Sequence, residues 1–147
     1  RSYQPTLLFN KRITTDLQLH ANSIYRNGGI VFNHRLNFVG GREHREYLQA
    51  LLDHSRGQLQ LFHFTGQSPI VEIASIQLRQ RTKLGDWYRM QVDLRQHPTD
   101  PSQLVIQAAV WGVTDQDWPV VSLSTTSGRP ADGLIGLGTI NSHTRFS

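Results

Sequence analysis

Trp118 lies in the polar segment of residues 114–119, directly before Pro119, where a large ring has few apolar neighbours in sequence. That setting predicts an exposed ring, and a flat indole can stack on the apolar face of a sugar ring. The alternative is that Trp118 packs within the loop that carries it. Trp87 and Trp111 fall in strand-like runs instead, which favours packing in the core or on a sheet face.

A second group of polar residues follows a glycine-led, strand-like run at residues 28–32. Asn33, His34 and Arg35 come directly after it, and Tyr47 lies on a later strand-like segment. Side chains at strand ends often project towards ligands, so these four residues and the ring of Trp118 are the predicted ligand contacts. A solvated strand end without function explains the first three equally well.

Metal ligands are indicated weakly. Asp115 and Asp117 are two residues apart in the same polar segment, and clustered oxygen ligands, helped by backbone carbonyls, suit calcium. The sequence therefore predicts Ca²⁺ at Asp115 and Asp117. His44 with Glu46 is a weaker pair, for which a solvated loop is the simpler explanation. The chain has no cysteine, which excludes disulfides, thiol catalysis and thiolate metal sites.

Catalytic residues are not predicted. Hydrolysis of a glycosidic bond usually needs two carboxyl groups that flank the bond. Glu43 and Glu46 lie in or beside the turn-like segment 40–45, and Glu72 is the one carboxylate of its strand-like run. Because no carboxylate pair alternates along one strand, the sequence leans against an enzyme.

Bulk composition describes one globular domain, residues 1–147, with 37% hydrophobic and 18% charged residues. The net charge of +4 comes from thirteen arginines and two lysines against eleven carboxylates. Arginine binds carboxylate or sulfate in bidentate fashion, which suggests an acidic partner, but the arginines form no block and could be dispersed surface charges. No nucleic-acid motif or basic helix is present, and no apolar run approaches the ~20 residues of a membrane helix.

Short strands separated by turn signals dominate the chain. Residues 13–21 alternate, residues 47–53 and 58–64 flank a Gly57 turn as a predicted hairpin, and residues 104–113 form a long apolar run. In the run that starts at Trp87, Tyr88, Met90, Val92 and Leu94 share one face. Residues 124–132 are predicted to be a surface loop. Eight to ten strands without a clear helix predict an all-β, antiparallel two-sheet sandwich.

The order of these signals resembles the jelly-roll domains of the concanavalin A-like superfamily, which includes laminin G-like domains. The motifs that carry the resemblance are Gly-Gly-Ile-Val-Phe at 28–32, Gly-Gln-Leu-Gln-Leu-Phe at 57–62, Trp-Tyr-Arg at 87–89, Val-Trp at 110–111, Asp-Trp-Pro at 117–119, Gly-Leu-Ile-Gly-Leu at 133–137 and Arg-Phe at 145–146. The resemblance covers about residues 13–146. It implies a noncatalytic, lectin-like carbohydrate-binding domain of an extracellular or cell-surface protein, with an acidic glycan as one candidate ligand.

Two other functions stay open. Here Phe146 is followed only by Ser147, whereas such domains commonly continue with Asp and a closing strand, so a terminal strand is predicted to be missing. An open sheet edge could then pair with a neighbouring copy, as in a structural subunit of a surface assembly or filament. The third possibility is a glycan-active hydrolase or lyase, in which His34, Arg35 and Tyr47 imitate a lyase's proton-transfer set.

Overall fold

A computed structural model describes residues 10–20, 26–66, 70–100, 102–128, 134–138 and 144–146 of the chain. These residues form ten β-strands. In chain order the strands are β1 Asn10–Leu19, β2 Asn27–Val39, β3 Arg42–Asp53, β4 Gln58–Phe64, β5 Val71–Gln77, β6 Trp87–Gln96, β7 Leu104–Gly112, β8 Val121–Ser127, β9 Leu134–Gly138 and β10 Thr144–Phe146. No helix long and apolar enough to cross a membrane occurs among the described residues.

The strands form two five-stranded sheets in which neighbouring strands run antiparallel. The first sheet has the order β10-β1-β6-β7-β8, and the second has the order β5-β4-β3-β2-β9. The core lies between them, where the inner faces of both sheets contribute buried aliphatic side chains to one cluster. The predicted all-β, antiparallel two-sheet sandwich is confirmed.

Alternation of apolar and polar residues explains how the first sheet packs against the core. In β6 the side chains of Tyr88, Met90, Val92 and Leu94 are buried, whereas the intervening residues are only partly covered. Because successive side chains of a strand point to opposite faces, the apolar set packs in the core and the polar set lies on the outer surface. The face predicted for this strand is confirmed.

The second sheet departs from this alternation in its central strand. Six consecutive residues of β3, from Leu48 to Asp53, are buried, so both faces of the strand are covered. Leu48, Ala50 and Leu52 belong to the core cluster. Leu51 and Gln49 lie on the opposite face and are also buried. The outer surface of the second sheet is therefore shielded from solvent at its centre, unlike that of the first sheet.

Strand β2 contains two unusual positions. At Gly29 an added Cβ would lie 1.7 Å from the backbone oxygen of Ala50, so only glycine permits this approach of β2 to β3. At Asn33 the pairing with β3 shifts by one residue between Phe32 and Arg35, and Asn33 adopts φ 55°. The register shift and this φ identify Asn33 as the extra residue of a β-bulge. Asparagine tolerates the left-handed conformation better than most residues other than glycine.

Two predicted loops are shorter than expected. Strand β8 continues through Ser127, so residues 124–127 of the predicted loop 124–132 are in fact strand, while residues 129–132 lie outside the described part. Ser124, Thr125, Thr126 and Ser127 lie on an edge strand, where alternate side chains face water. Between β2 and β3 only Gly40 and Gly41 form the turn, so Glu43 belongs to a strand.

Candidate functional site

The outer surface of the second sheet collects polar and aromatic side chains from its three central strands. Cross-strand pairs on this surface are Tyr47 with Phe64, Gln49 with Phe62, Leu51 with Gln60, and Asp53 with Gln58. Strand β2 adds Asn27 opposite Asp53 and Val31 opposite Gln49. These residues alternate with the core positions of their strands, so they share one face. We call this face the outer surface of the second sheet throughout.

An aromatic row crosses one end of this surface. The rings of His34 and Tyr47 lie nearly parallel, with centroids 6.1 Å apart and an interplanar angle of 23°. The ring of Phe64 lies 5.0 Å from that of Tyr47, tilted by 43°. The bulge at Asn33 lets both Asn33 and His34 stand opposite Tyr47. The structure thus brings together two predicted site residues, His34 and Tyr47, and adds Phe64.

Tyr47 is a hydrogen-bond donor at neutral pH. Partial burial raises the pKa of its hydroxyl above the ordinary value of 10.0, because desolvation disfavours the phenolate. Its contact with His34 is a ring stack rather than a hydrogen bond, so the pair lacks the geometry for direct proton transfer. The row can bind an apolar ring face and donate a hydrogen bond.

A buried amide lies farther along the same surface. The Gln60 side chain is 1% exposed, and its Nε2 donates to Gln58 Oε1 at 3.0 Å and to Glu72 Oε1 at 3.2 Å. Its Oε1 is buried, and no hydrogen-bond partner for it occurs among the described residues. An unpaired buried acceptor is costly, and such atoms commonly mark an absent water or ligand. The Gln60 Oε1 thus has a hydrogen-bonding capacity that a water or a ligand hydroxyl inserted beside it can use.

A cleft of about 220 Å³ opens beside this amide. It is lined by Asn27, Leu51, Asp53, Arg56, Gln60, Phe62 and Ile70. Apolar walls with a few convergent polar groups are typical of small-molecule sites. The cleft and the aromatic row occupy the same surface, because Phe62 of the cleft and Phe64 of the row lie two residues apart on β4. The candidate site consists of this cleft and the row.

Trp118 does not belong to this site, and the prediction of an exposed ring is wrong. Its side chain is 2% exposed and packs edge-on against Tyr88, with ring centroids 5.0 Å apart. Its Nε1 donates to the backbone oxygens of Gln80 and Arg81 at 3.1 and 3.3 Å. The indole is held by the core on one side and by a neighbouring loop on the other, so it offers no free face for stacking.

The other predicted contacts have different outcomes. Asn33 was expected to project from a strand end, but it is buried at the bulge and only 1% exposed. Arg35 pairs with Glu46 in the β2–β3 ladder, and its side chain lies outside the described part. Ligand binding by either residue stays a prediction.

Asp115 and Asp117 organise a turn. Asp115 Oδ1 accepts a hydrogen bond from the backbone N–H of Asp117 at 3.1 Å, and the Asp115 carbonyl oxygen accepts one from the N–H of Trp118 at 3.2 Å. No cluster of three or more histidine, aspartate and glutamate side chains suited to a metal occurs in the described ranges. Calcium at Asp115 and Asp117 therefore stays a prediction. The hydrogen bonds of Asp115 stabilise the turn that precedes Trp118.

The sequence missed Gln60, Phe62 and Phe64 as site residues. Their strand was predicted correctly as the partner of residues 47–53, and its alternation already separated Gln60, Phe62 and Phe64 from Leu59 and Leu61. The missing information was the register with β3, which places Phe64 opposite Tyr47. With that register the aromatic row could have been derived.

Comparisons with known proteins support the architecture. No protein-family model matches the chain, and no curated protein sequence matches it. Among solved structures, the chain is similar to the carbohydrate-binding module CBM66 from Bacillus subtilis, with a TM-score of 0.61 and 12% sequence identity. The similarity covers 93% of this chain and 71% of that chain. At this identity the similarity shows the fold, a β-sandwich used by a carbohydrate-binding module.

Proposed function

We propose that this chain is a noncatalytic, lectin-like carbohydrate-binding domain and that it binds its glycan on the outer surface of the second sheet. The observation that carries the proposal is the unpaired Oε1 of Gln60, buried in a cleft on the same surface as the aromatic row. The similarity in fold to a carbohydrate-binding module supports the same conclusion.

The chemistry of the surface suits a sugar. Aromatic rings such as Tyr47 and Phe62 can cover the apolar C–H face of a pyranose or furanose, while amides and hydroxyls bind its hydroxyl groups. Gln60 offers an acceptor, Tyr47 a donor, and Asn27 a further amide at the rim of the cleft. From Tyr47 to Asp53 the surface spans about 20 Å at ~3.3 Å per residue, which is enough for an oligosaccharide.

The test compares matched aromatic variants on the two sheets. Tyr47→Ala removes the centre of the aromatic row, and Trp111→Ala removes a half-buried ring from the outer surface of the first sheet. Retardation in native gels that contain soluble neutral or acidic polysaccharides should be lost in Tyr47→Ala and kept in Trp111→Ala. Circular dichroism checks that both variants remain folded. Equal retardation of wild type and Tyr47→Ala would refute the proposed site.

Polysaccharides are abundant outside cells, so we place the domain in an extracellular or cell-surface protein and, by its resemblance, in the concanavalin A-like superfamily. Secretion of the full-length protein by its native host, detected in culture medium or by surface labelling, tests the location. Recovery in the cytosol alone would contradict it.

Self-association is a second candidate function, and one observation favours it. Strand β5 is an edge of the second sheet, and Val71 and Ile76 on it are 52% and 38% exposed. An exposed apolar edge can accept a strand from another copy. Size-exclusion chromatography with light scattering separates the two functions: a monomer is expected for a binding domain, and ordered oligomers would favour assembly.

A further inference from the structure

A second cleft of about 250 Å³ opens at the turn between β3 and β4. It is lined by His54, Ser55, Arg56, Gly57, Gln77, Leu78 and Arg81. Arg56 lines this cleft and also the cleft that contains Gln60. The two clefts therefore adjoin at the side chain of Arg56.

The second cleft is positively charged. Arg56 and Arg81 line it, and Arg26 lies close enough to His54 to act on it electrostatically. The nearby carboxylate is that of Asp53, which is buried and accepts a hydrogen bond from the backbone N–H of Arg56 at 3.1 Å. Among the described residues, Arg56 and Arg81 against the carboxylate of Asp53 leave a net positive potential at this end of the site.

His54 does not contribute a positive charge. Its Nδ1 lies 2.6 Å from Thr82 Oγ1, and the ring is buried. Burial first, and then the charges of Arg81 and Arg26, hold its pKa below the ordinary value of 6.5.

Arg56 and Arg81 differ from Arg12 and Arg89 of the first sheet. Arg12 pairs with Asp93 at 2.7 Å, and Arg89 pairs with Asp16 at 2.6 Å. Within the described residues, neither Arg56 nor Arg81 forms an ion pair, and both are exposed. An exposed guanidinium without a carboxylate partner is available to bind an anionic group in bidentate geometry.

We infer that the cleft at the β3–β4 turn binds an anionic substituent, a carboxylate or a sulfate ester, of the glycan held on the outer surface of the second sheet. This inference rests on the proposed function and names its substrate class as an acidic glycan. Arg56 and Arg81 contact the anion. The neutral part of the same glycan lies against Phe62, Gln60 and the aromatic row.

The test uses three polysaccharides: dextran as the neutral probe, polygalacturonate as the uronate probe, and dextran sulfate as the sulfated probe. Binding is measured in a chelating buffer, so that calcium bridges play no part. The charge-removing double variant R56Q/R81Q is compared with its matched control R12Q/R89Q, which removes the same charge from the first sheet. Wild type should bind at least one acidic probe more tightly than dextran. In R56Q/R81Q that affinity should fall about tenfold or more, because charge-assisted hydrogen bonds are lost, whereas R12Q/R89Q should retain it.

Each outcome has a distinct meaning. Preference for polygalacturonate or for dextran sulfate identifies the anion as a uronate or a sulfate ester. Equal losses in R56Q/R81Q and R12Q/R89Q would overturn the inference, since only net charge would then matter. Binding to dextran that is lost in Tyr47→Ala, without tighter binding to either acidic probe, would overturn the inference and leave the proposed function standing. Failure of wild type to bind any polysaccharide in a broad panel would overturn both.

Discussion

The outer surfaces of the two sheets differ in how their polar side chains are paired. On the first sheet, exposed and partly exposed charged side chains pair with one another across strands, as Arg12 does with Asp93 and Arg89 with Asp16. On the second sheet, side chains of the central strands are buried, and Gln60 has an acceptor without a partner. On the first surface these ion-paired groups satisfy one another, whereas Gln60 on the second surface retains a hydrogen-bonding requirement that a ligand can fulfil. Burial of polar groups, rather than their number, therefore distinguishes the candidate site.

The largest expected loss of stability comes from a substitution that forces β2 and β3 of the second sheet apart. In Gly29→Val the added side chain would collide with the Ala50 carbonyl oxygen, so β2 and β3 could not keep their pairing. We expect a loss of more than about 3 kcal/mol in the free energy of unfolding, measured in urea. Gly128→Ala is the matched control, because its Cβ would meet nothing closer than 4.0 Å. A Gly29→Val protein as stable as wild type would show that this strand contact is dispensable.

Trp118→Ala gives the next largest effect and distinguishes a core tryptophan from a surface one. The change removes packing on Tyr88 and two hydrogen bonds to backbone carbonyls. We expect the free energy of unfolding to fall by about 3–5 kcal/mol. Trp111→Ala, on the outer surface of the first sheet, should cost less because that ring is only half-buried. A stable Trp118→Ala protein that loses glycan binding would restore Trp118 as a contact residue.

Gln60→Met tests directly whether the unpaired acceptor of Gln60 distinguishes the outer surface of the second sheet from that of the first. Methionine is close to glutamine in shape, so the change removes the unpaired acceptor together with two hydrogen bonds and leaves packing largely intact. These opposing effects should keep the free energy of unfolding within about 1 kcal/mol of wild type. Glycan binding should nevertheless be lost in isothermal titration.

The matched control for Gln60→Met is Gln91→Met on the outer surface of the first sheet. Gln91 donates to Asp93 at 3.4 Å, and its loss should leave both stability and binding nearly unchanged. A severe loss of stability in Gln60→Met would identify the amide as a structural group. That result would remove the distinction between the two surfaces.

The smallest expected effect concerns pH at the second cleft. The folded protein holds the pKa of His54 below 6.5, chiefly through burial, so the unfolded chain binds more protons as pH falls through 6.5. Stability should therefore decline from pH 7.5 to pH 5, and His54→Asn should show a shallower decline. Burial lowers the pKa of His63 as well, so part of the dependence should persist. Thermal melts at several pH values measure both slopes, and identical slopes would exclude a contribution from His54.

Local patterns predicted the strands better than they predicted the site. The buried face of β6 was predicted correctly because its pattern lies within one short segment, in which Tyr88, Met90, Val92 and Leu94 alternate with polar residues. Trp118 was misjudged because its partners, Tyr88 and the carbonyls of Gln80 and Arg81, lie about thirty or more residues away. Polar neighbours such as Asp115 and Asp117 suggested exposure, although they form the turn that directs the indole inwards.

The site required information that single strands do not contain. The aromatic row depends on pairing Tyr47 with Phe64, and its third member, His34, reaches the row through a bulge. A bulge adds one residue without an obvious signature in composition, since Asn33 differs little from an ordinary strand-end asparagine. The burial of Gln60 likewise arises from the assembled sheet.

The bulge at Asn33 has a consequence for how this domain can change over evolution. Strand β2 carries one extra residue relative to β3 and relative to β9, and both register shifts fall in the same short stretch. A relative that lacks Asn33 could retain every backbone pair on either side, including the alignment of His34 opposite Tyr47. The position can therefore gain or lose one residue without resetting the rest of the sheet, so length variation among homologues is expected to concentrate there.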